Sequence, residues 1–367
     1  MYSSGGSKLL KAAFIGPPLS GKTTIFKALT YGHSQTGKSS AGHVEIHRGV
    51  VKVPDAKLLK LAEFYSPKKI SPVEIEYFDL VGTLESEKKQ EGEKTAILRE
   101  CDELIAVAGL FQDSDLEKGL VESQKDLQKL FEDLLVLDYI QVEKKLERSK
   151  RQSKGPVTGQ GKMEIELLEK CHQALEKQIP CRRVSFTPDE EKLLRGYALL
   201  TGKPILIILN INERMIPRTG EIETRFSNFV KQNDSIALAI SGEMELELSQ
   251  LTEEERPDFM KELGIAQPAS DRVAFGSYEL MSLISFYTAN QNEVRAWALP
   301  KGQKAIQAAG MIHTDMEKGF IKAEVINIDK LFQLGSMHAA KEKGAVGLEG
   351  KDYFVQNGDV IFFRFNP

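Results

Sequence analysis

Eight consecutive residues, Gly16-Pro17-Pro18-Leu19-Ser20-Gly21-Lys22-Thr23, have the types and spacing needed to hold phosphate. They fit G-x-x-x-x-G-K-[ST], a loop whose glycines let the backbone curl until its N–H groups face phosphate oxygens. The helix that follows adds its positive N-terminal end. In this pattern Lys22 reaches the β- and γ-phosphates, the Thr23 hydroxyl ligates Mg²⁺, and Gly16, Ser20, Gly21 and Thr24 complete the cradle. The chemistry is binding of a nucleoside triphosphate, with phosphoryl transfer to water as the reaction it could support.

Three further stretches belong to the same chemistry. Asp79-Leu80-Val81-Gly82 fits D-x-x-G, in which the acid holds Mg²⁺ through water, giving Thr23 and Asp79 as the metal set, and the Gly82 amide senses the γ-phosphate. Asn210-Ile211-Asn212-Glu213 stands where a guanine-binding domain carries N-K-x-D. Ile211 replaces the lysine and Glu213 the aspartate, and the extra methylene displaces the carboxylate, so adenine fits better than guanine. Ser241-Gly242-Glu243 ends a later apolar run, where Ser241 and backbone amides would hold the base. The alternatives to these readings are accidental motif matches and ordinary strand-end loops.

The surrounding elements must position these residues. Leu9 to Ile15 is an apolar run suited to a buried strand, and Thr23 to Leu29 reads as a helix turning Ile25, Phe26, Ala28 and Leu29 inward. Short apolar runs at Val73 to Phe78, Leu104 to Leu110, Ile205 to Leu209 and Ile236 to Ile240 alternate with helical material, which predicts a mostly parallel α/β sheet. Gly49 to Val53 reads as a further strand, followed by a helix around Leu58 to Phe64. From Leu116 to Ile179, leucines recur at three- and four-residue spacings among Glu and Lys, broken at 153–161, which predicts an inserted antiparallel helical hairpin. Near the C-terminus, Tyr353-Phe354-Val355, an Asn357-Gly358-Asp359 turn and Val360 to Phe363 read as a terminal β-hairpin or two sheet strands.

Composition sets the bounds. The 367 residues predict two or three domains, and 41% hydrophobic residues suffice for their cores. A net charge of −4 with 28% charged residues describes a mixed-charge surface, so contact with nucleic acid would come from a local patch. The basic residues Lys144, Lys145, Arg148, Lys150, Arg151 and Lys154 near the hairpin tip are such a patch, although Glu143 and Glu147 interleave with them and an ordinary solvated helix face reads as well. Cys101, Cys171 and Cys181 have neither metal spacing nor an even count, which predicts buried thiols in a reducing compartment and a cytoplasmic protein. The polar N-terminus lacks a signal core, and neither a membrane nor DNA is an expected partner. No Ser/His/Asp arrangement or His and Cys cluster supports protease, deaminase or zinc chemistry. His313, in Gly310-Met311-Ile312-His313-Thr314-Asp315, reads as a structural hydrogen-bonding residue rather than a catalytic one.

Taken together, these stretches resemble the YchF family, the Obg-like ATPases of the translation-factor class. The likeness spans nearly the whole chain. It includes the phosphate loop, Gly49-Val50-Val51-Lys52-Val53-Pro54-Asp55, Ile97-Leu98-Arg99-Glu100-Cys101-Asp102, Leu199-Leu200-Thr201-Gly202-Lys203-Pro204, Glu293-Val294-Arg295-Ala296-Trp297, Gln307 to Asp315 and Leu348-Glu349-Gly350-Lys351-Asp352-Tyr353. The resemblance implies a small-GTPase-like P-loop domain at 8–115 and 197–272, a helical coiled-coil insertion at 116–196 and a β-grasp-like TGS domain at 273–367. It also implies ATP preferred over GTP, Mg²⁺, slow hydrolysis, a ribosome or ribosomal RNA as partner, and a monomer. Two departures stand out. His43-Val44-Glu45-Ile46 replaces the family's Thr-Ile-Glu-Pro, so the switch threonine has no counterpart, and 83–92 replaces a glycine-rich stretch with a charged one. Hydrolysis would then draw on a partner or K⁺, and a non-catalytic ATP-binding adaptor is the alternative; a GTPase is a third reading.

Overall fold

The computed structural model describes residues 9–38, 44–80, 88–111, 115–152 and 159–366. Along the chain, β1 (Leu10–Ile15) leads into α1 (Lys22–Leu29), then β2 (Ser34–Lys38), β3 (Glu45–Lys52), α2 (Ala56–Tyr65), β4 (Lys69–Ser71) and β5 (Glu74–Leu80). α3 (Lys88–Glu100) and β6 (Glu103–Leu110) precede two long helices, α4 (Leu116–Gln152) and α5 (Gln160–Glu176). β7 (Ile205–Ile211) and β8 (Ile236–Ile240) follow, and the C-terminal part holds β9 (Leu283–Ala289), β10 (Glu293–Pro300), β11 (Phe320–Asn327), β12 (Gly347–Glu349) and β13 (Asp359–Phe365).

The chain divides into two compact units. One gathers Lys11–Gly49 and Tyr77–Arg272, the other Val50–Glu76 and Val273 onward. The first is organised on a seven-stranded sheet in the order β2-β3-β5-β1-β6-β7-β8, with β1–β6, β6–β7 and β7–β8 parallel and β2–β3 antiparallel. β7 is buried along its whole length, as unbroken apolar runs are when both faces of a parallel sheet are covered. The helical stretch lies in this same unit. Leu116, Leu120, Leu127, Leu130, Phe131 and Leu134 of α4 join the core of the sheet. Farther along, Val142 packs with Leu167, Leu168, Cys171 and Leu175 of α5 in a smaller cluster of its own. Residues 153–158, the expected break, lie outside the described residues. All three cysteines are free thiols and buried.

A buried carboxylate ties these parts together. Asp138, on α4 and fully buried, accepts from Arg99 Nη1 at 2.8 Å, from the Leu200 and Thr201 amides at 3.1 and 2.7 Å, and from Thr201 Oγ1 at 2.7 Å. Lys203 Nζ donates to the Arg99 carbonyl at 3.0 Å and to that of Cys101, satisfying orphan acceptors at the end of α3. The Ile97–Asp102 and Leu199–Pro204 stretches therefore meet at one buried junction.

The second unit carries a six-stranded sheet in the order β12-β11-β13-β9-β10-β4. β9 and β10 form an antiparallel hairpin, β13 runs parallel to β9, and β4 runs parallel to β10. Residues 50–76, expected within the nucleotide-binding domain, fall here. α2 contributes Leu58 and Leu61 to a core with Tyr287, Val294, Leu331 and Val360. Its N-cap Asp55 accepts from the Leu58 amide at 2.9 Å and from Tyr287 Oη at 2.9 Å.

Tyr353 to Val355, read above as a strand, makes only an isolated bridge between Phe354 and Lys304. Asp359 Oδ2 takes both the Tyr353 hydroxyl and the Gln356 amide at 2.8 Å, so a side chain folds this segment into a turn and only β13 enters the sheet. His313 has the structural role expected of it. Its Nδ1 accepts from the Asp315 amide at 3.2 Å and caps the short helix Thr314–Lys318.

Candidate nucleotide site

The loop after β1 turns on three residues with positive φ, Gly16 at 151°, Leu19 at 61° and Gly21 at 87°. Glycine is required at the outer two by space as well as by angle. A Cβ on Gly16 would strike the Val107 carbonyl of β6, and one on Gly21 the Asn210 amide. Leu19 has no such excuse, and a left-handed leucine costs on the order of 1 kcal/mol or more. Its side chain is 94% exposed, so no burial offsets that cost, and the curl of the loop dictates its conformation.

Lys22 opens α1 and folds its Nζ back onto the carbonyls of Gly16 at 2.9 Å and Pro17 at 2.7 Å. Burial lowers its pKa, Asp79 partly restores it, and Lys94 lowers it further. The loop thus holds a partly desolvated cation on neutral carbonyls, an arrangement that an incoming phosphate would relieve. Thr23, next along α1, donates its hydroxyl to Asp79 Oδ2 at 2.8 Å, so the two residues expected to share Mg²⁺ are in contact although 56 positions apart. Thr24 is half-buried on the same turn.

Asn210 ends β7 as a strut. Its Nδ2 donates to the Ser20 carbonyl at 3.0 Å and its Oδ1 accepts from the Gly242 amide at 3.0 Å. The base-side loops and the phosphate loop are therefore braced by one buried side chain. Glu213 is exposed at the start of the 3₁₀ turn Glu213–Arg218. Ile211 lies in the hydrophobic core at 2% exposure, so only its backbone is available to a ligand. Ser241 is buried at the N-cap position of the helix Gly242–Gln250, and its side chain makes no capping bond. Gly82 and His43 lie outside the described residues.

Three buried side-chain oxygens of loop and neighbouring residues, Ser20 Oγ, Asp79 Oδ1 and Ser241 Oγ, lack a hydrogen-bond partner among the described residues. Buried polar atoms are rarely left so, and their grouping suits an external ligand. For Mg²⁺ the hard oxygen donors Thr23 Oγ1 and Asp79 Oδ1 fit, since that ion takes few protein ligands and fills its shell with water and phosphate.

One further residue, His47, joins this site. It lies on β3, and its Nδ1 is 3.1 Å from Asp79 Oδ2. A lone histidine in a strand carries no motif, and only the meeting of β3 with the end of β5 reveals it.

Residues 11–154 match the family described as 50S ribosome-binding GTPase. Residues 283–366 match the YchF GTPase C-terminal family, described as Protein of unknown function (DUF933). Over 97% of its length the chain is 36% identical to the Ribosome-binding ATPase YchF of Bacillus subtilis, and covers 99% of that protein. The chain belongs to the YchF family. The YchF of Haemophilus ducreyi, with the same description, is 35% identical over 97% of this chain and 99% of the relative. The structure of the Schizosaccharomyces pombe YchF GTPase superposes with a TM-score of 0.78 at 27% identity, covering 99% of this chain and all of the other. The YchF fold, with its GTPase-type domain and its C-terminal YchF domain, is thus shared across the whole length.

Proposed function

We propose that the protein binds ATP with Mg²⁺ at the Gly16–Thr23 loop, hydrolyses it slowly, and associates with the ribosome or ribosomal RNA in the cytoplasm. The contact of Thr23 Oγ1 with Asp79 Oδ2, beside the unpartnered Asp79 Oδ1, carries the reading. The loop amides and Lys22 would take the phosphates, Thr23 and Asp79 would hold the metal, and Asn210 with Ser241 would border the base. Bound Mg²⁺ supplies neutralisation of charge on the phosphate oxygens. Lys22 and the amides stabilise the charge that spreads as the bond to the γ-phosphorus breaks and water adds in line.

The ribosomal part rests on the names of the relatives, which are described as ribosome-binding ATPases. The mixed sheet of the C-terminal unit, with a parallel β9–β13 pair beside the β9–β10 hairpin, supports the TGS reading. The small cluster between α4 and α5 supports a coiled-coil arm as a docking element. A monomer with no DNA or membrane partner belongs to the same reading. The non-catalytic adaptor draws on one observation, His43-Val44-Glu45-Ile46 in place of the switch threonine segment.

Turnover separates the two. With Mg²⁺ and K⁺, ATP hydrolysis by the wild-type protein should exceed that of Lys22→Ala, and ribosomes should raise the difference. Equal rates for the two proteins, with and without ribosomes, would leave the adaptor as the reading.

A further inference from the structure

We propose that His47 is a positioning residue of the metal-binding carboxylate, holding Asp79 from a sheet strand so that one oxygen stays aimed at the ion; this rests on the Mg²⁺-nucleotide reading given above. Asp79 is only 1% exposed, and its two side-chain hydrogen bonds among the described residues fall on the same oxygen. Oδ2 accepts from Thr23 Oγ1 at 2.8 Å and from His47 Nδ1 at 3.1 Å, while Oδ1 is buried with no partner among the described residues. A carboxylate only accepts, so His47 must present its Nδ1–H. The terminal torsion of aspartate is two-fold and soft, and exchanging its oxygens interrupts both bonds at once. Two donors on Oδ2 therefore fix which oxygen is left over.

His47 is well placed for this task. The ring stacks on Phe26 of α1, with centroids 6.1 Å apart at 29°, and Glu45 Oε1 lies 3.4 Å from Nε2. Glu45 precedes it by two residues and so lies on the same face of β3. The strand itself is set by antiparallel pairing with β2, in which His47 faces Thr36. The second donor to Asp79 therefore comes from a paired strand of the sheet. Thr23 supplies one of the two donors, its hydroxyl giving O–H to Asp79 while an oxygen lone pair is left for a metal, and His47 supplies the other.

The test is the affinity for a fluorescent ATP analogue with Mg²⁺ and with EDTA, measured for wild type, His47→Ala and His47→Asn. The asparagine amide stands where Nδ1 does and keeps a donor for Oδ2. The gain in affinity on adding Mg²⁺ should fall about tenfold in His47→Ala, the worth of one charge-assisted hydrogen bond. Affinity in EDTA should stay within about twofold of wild type, and His47→Asn should recover most of the gain. An undiminished Mg²⁺ gain in His47→Ala overturns the proposal, as does an equal loss in EDTA, which would mark a purely structural role for the ring. A wild-type protein that binds the analogue without any Mg²⁺ gain would instead remove the metal reading, and this inference with it.

Discussion

Lys22→Ala is expected to lower nucleotide affinity by about two orders of magnitude while leaving the fold intact. The ammonium is the one side-chain cation of the Gly16–Thr23 loop, and it is already partly desolvated where it rests on the loop carbonyls. Each hydrogen bond to a charged partner contributes about 1.5 kcal/mol or more, so losing two phosphate contacts costs about 3 kcal/mol, or over a hundredfold. Stability should change little, because in the protein Nζ only returns to two loop carbonyls that stay close to solvent. Titration with a fluorescent nucleotide, alongside thermal unfolding, checks both halves. A variant that binds within threefold of wild type would show that the loop does not use Lys22 as its pattern requires.

The largest stability effect is expected at Asp138, far from any motif that carries chemistry. Asp138→Ala leaves the Arg99 guanidinium and the amides of Leu200 and Thr201 without their acceptor in a buried setting. Breaking a buried pair in this way costs about 3–5 kcal/mol, because the remaining charge stays desolvated. For a unit of this size that corresponds to a fall in Tm of about 10 °C. Asp138→Asn keeps the shape and some acceptor capacity and should fall between the two. Since Asp138 joins α4 to the end of α3 and to the turn before β7, the same variant should loosen the outer half of α4, seen as faster amide exchange there than in β6 or β7. A loss of less than about 1 kcal/mol would mean that the junction relaxes into water at little cost.

What the sequence reveals and what it conceals follow from distance along the chain. The phosphate loop is legible because eight adjacent residues contain its whole mechanism, including the glycines that make room for Val107 and Asn210. The contact of Thr23 with Asp79 is legible because a strand–loop–helix order followed by D-x-x-G implies it. The Arg99–Asp138–Thr201 junction is not, since each residue sits in an ordinary helix or turn and only the fold brings them together. The same is true of His47, which becomes notable only through its partner 32 positions away.

The domain boundary at 50–76 is hidden for another reason. β4 has three residues and no alternation to speak of, and it is assigned by its pairing with β10, more than 200 positions later. At 353–355 the apolar run predicts a strand, whereas the Asp359 carboxylate holds the Tyr353 hydroxyl and the Gln356 amide in a turn. Glu213, in the place of a base-reading acid, is exposed and open to a ligand, while the role of Asn210 as the buried residue that ties the base-side loops to the phosphate loop is visible only in the fold.

This loop, with Asn210 and a glutamate at 213, is proposed to form an ATP site. Competition of ATP and GTP against a fluorescent nucleotide in the presence of Mg²⁺ tests it most directly. ATP should displace the probe at a concentration about tenfold lower than GTP, and displacement by GTP at an equal or lower concentration would contradict the account.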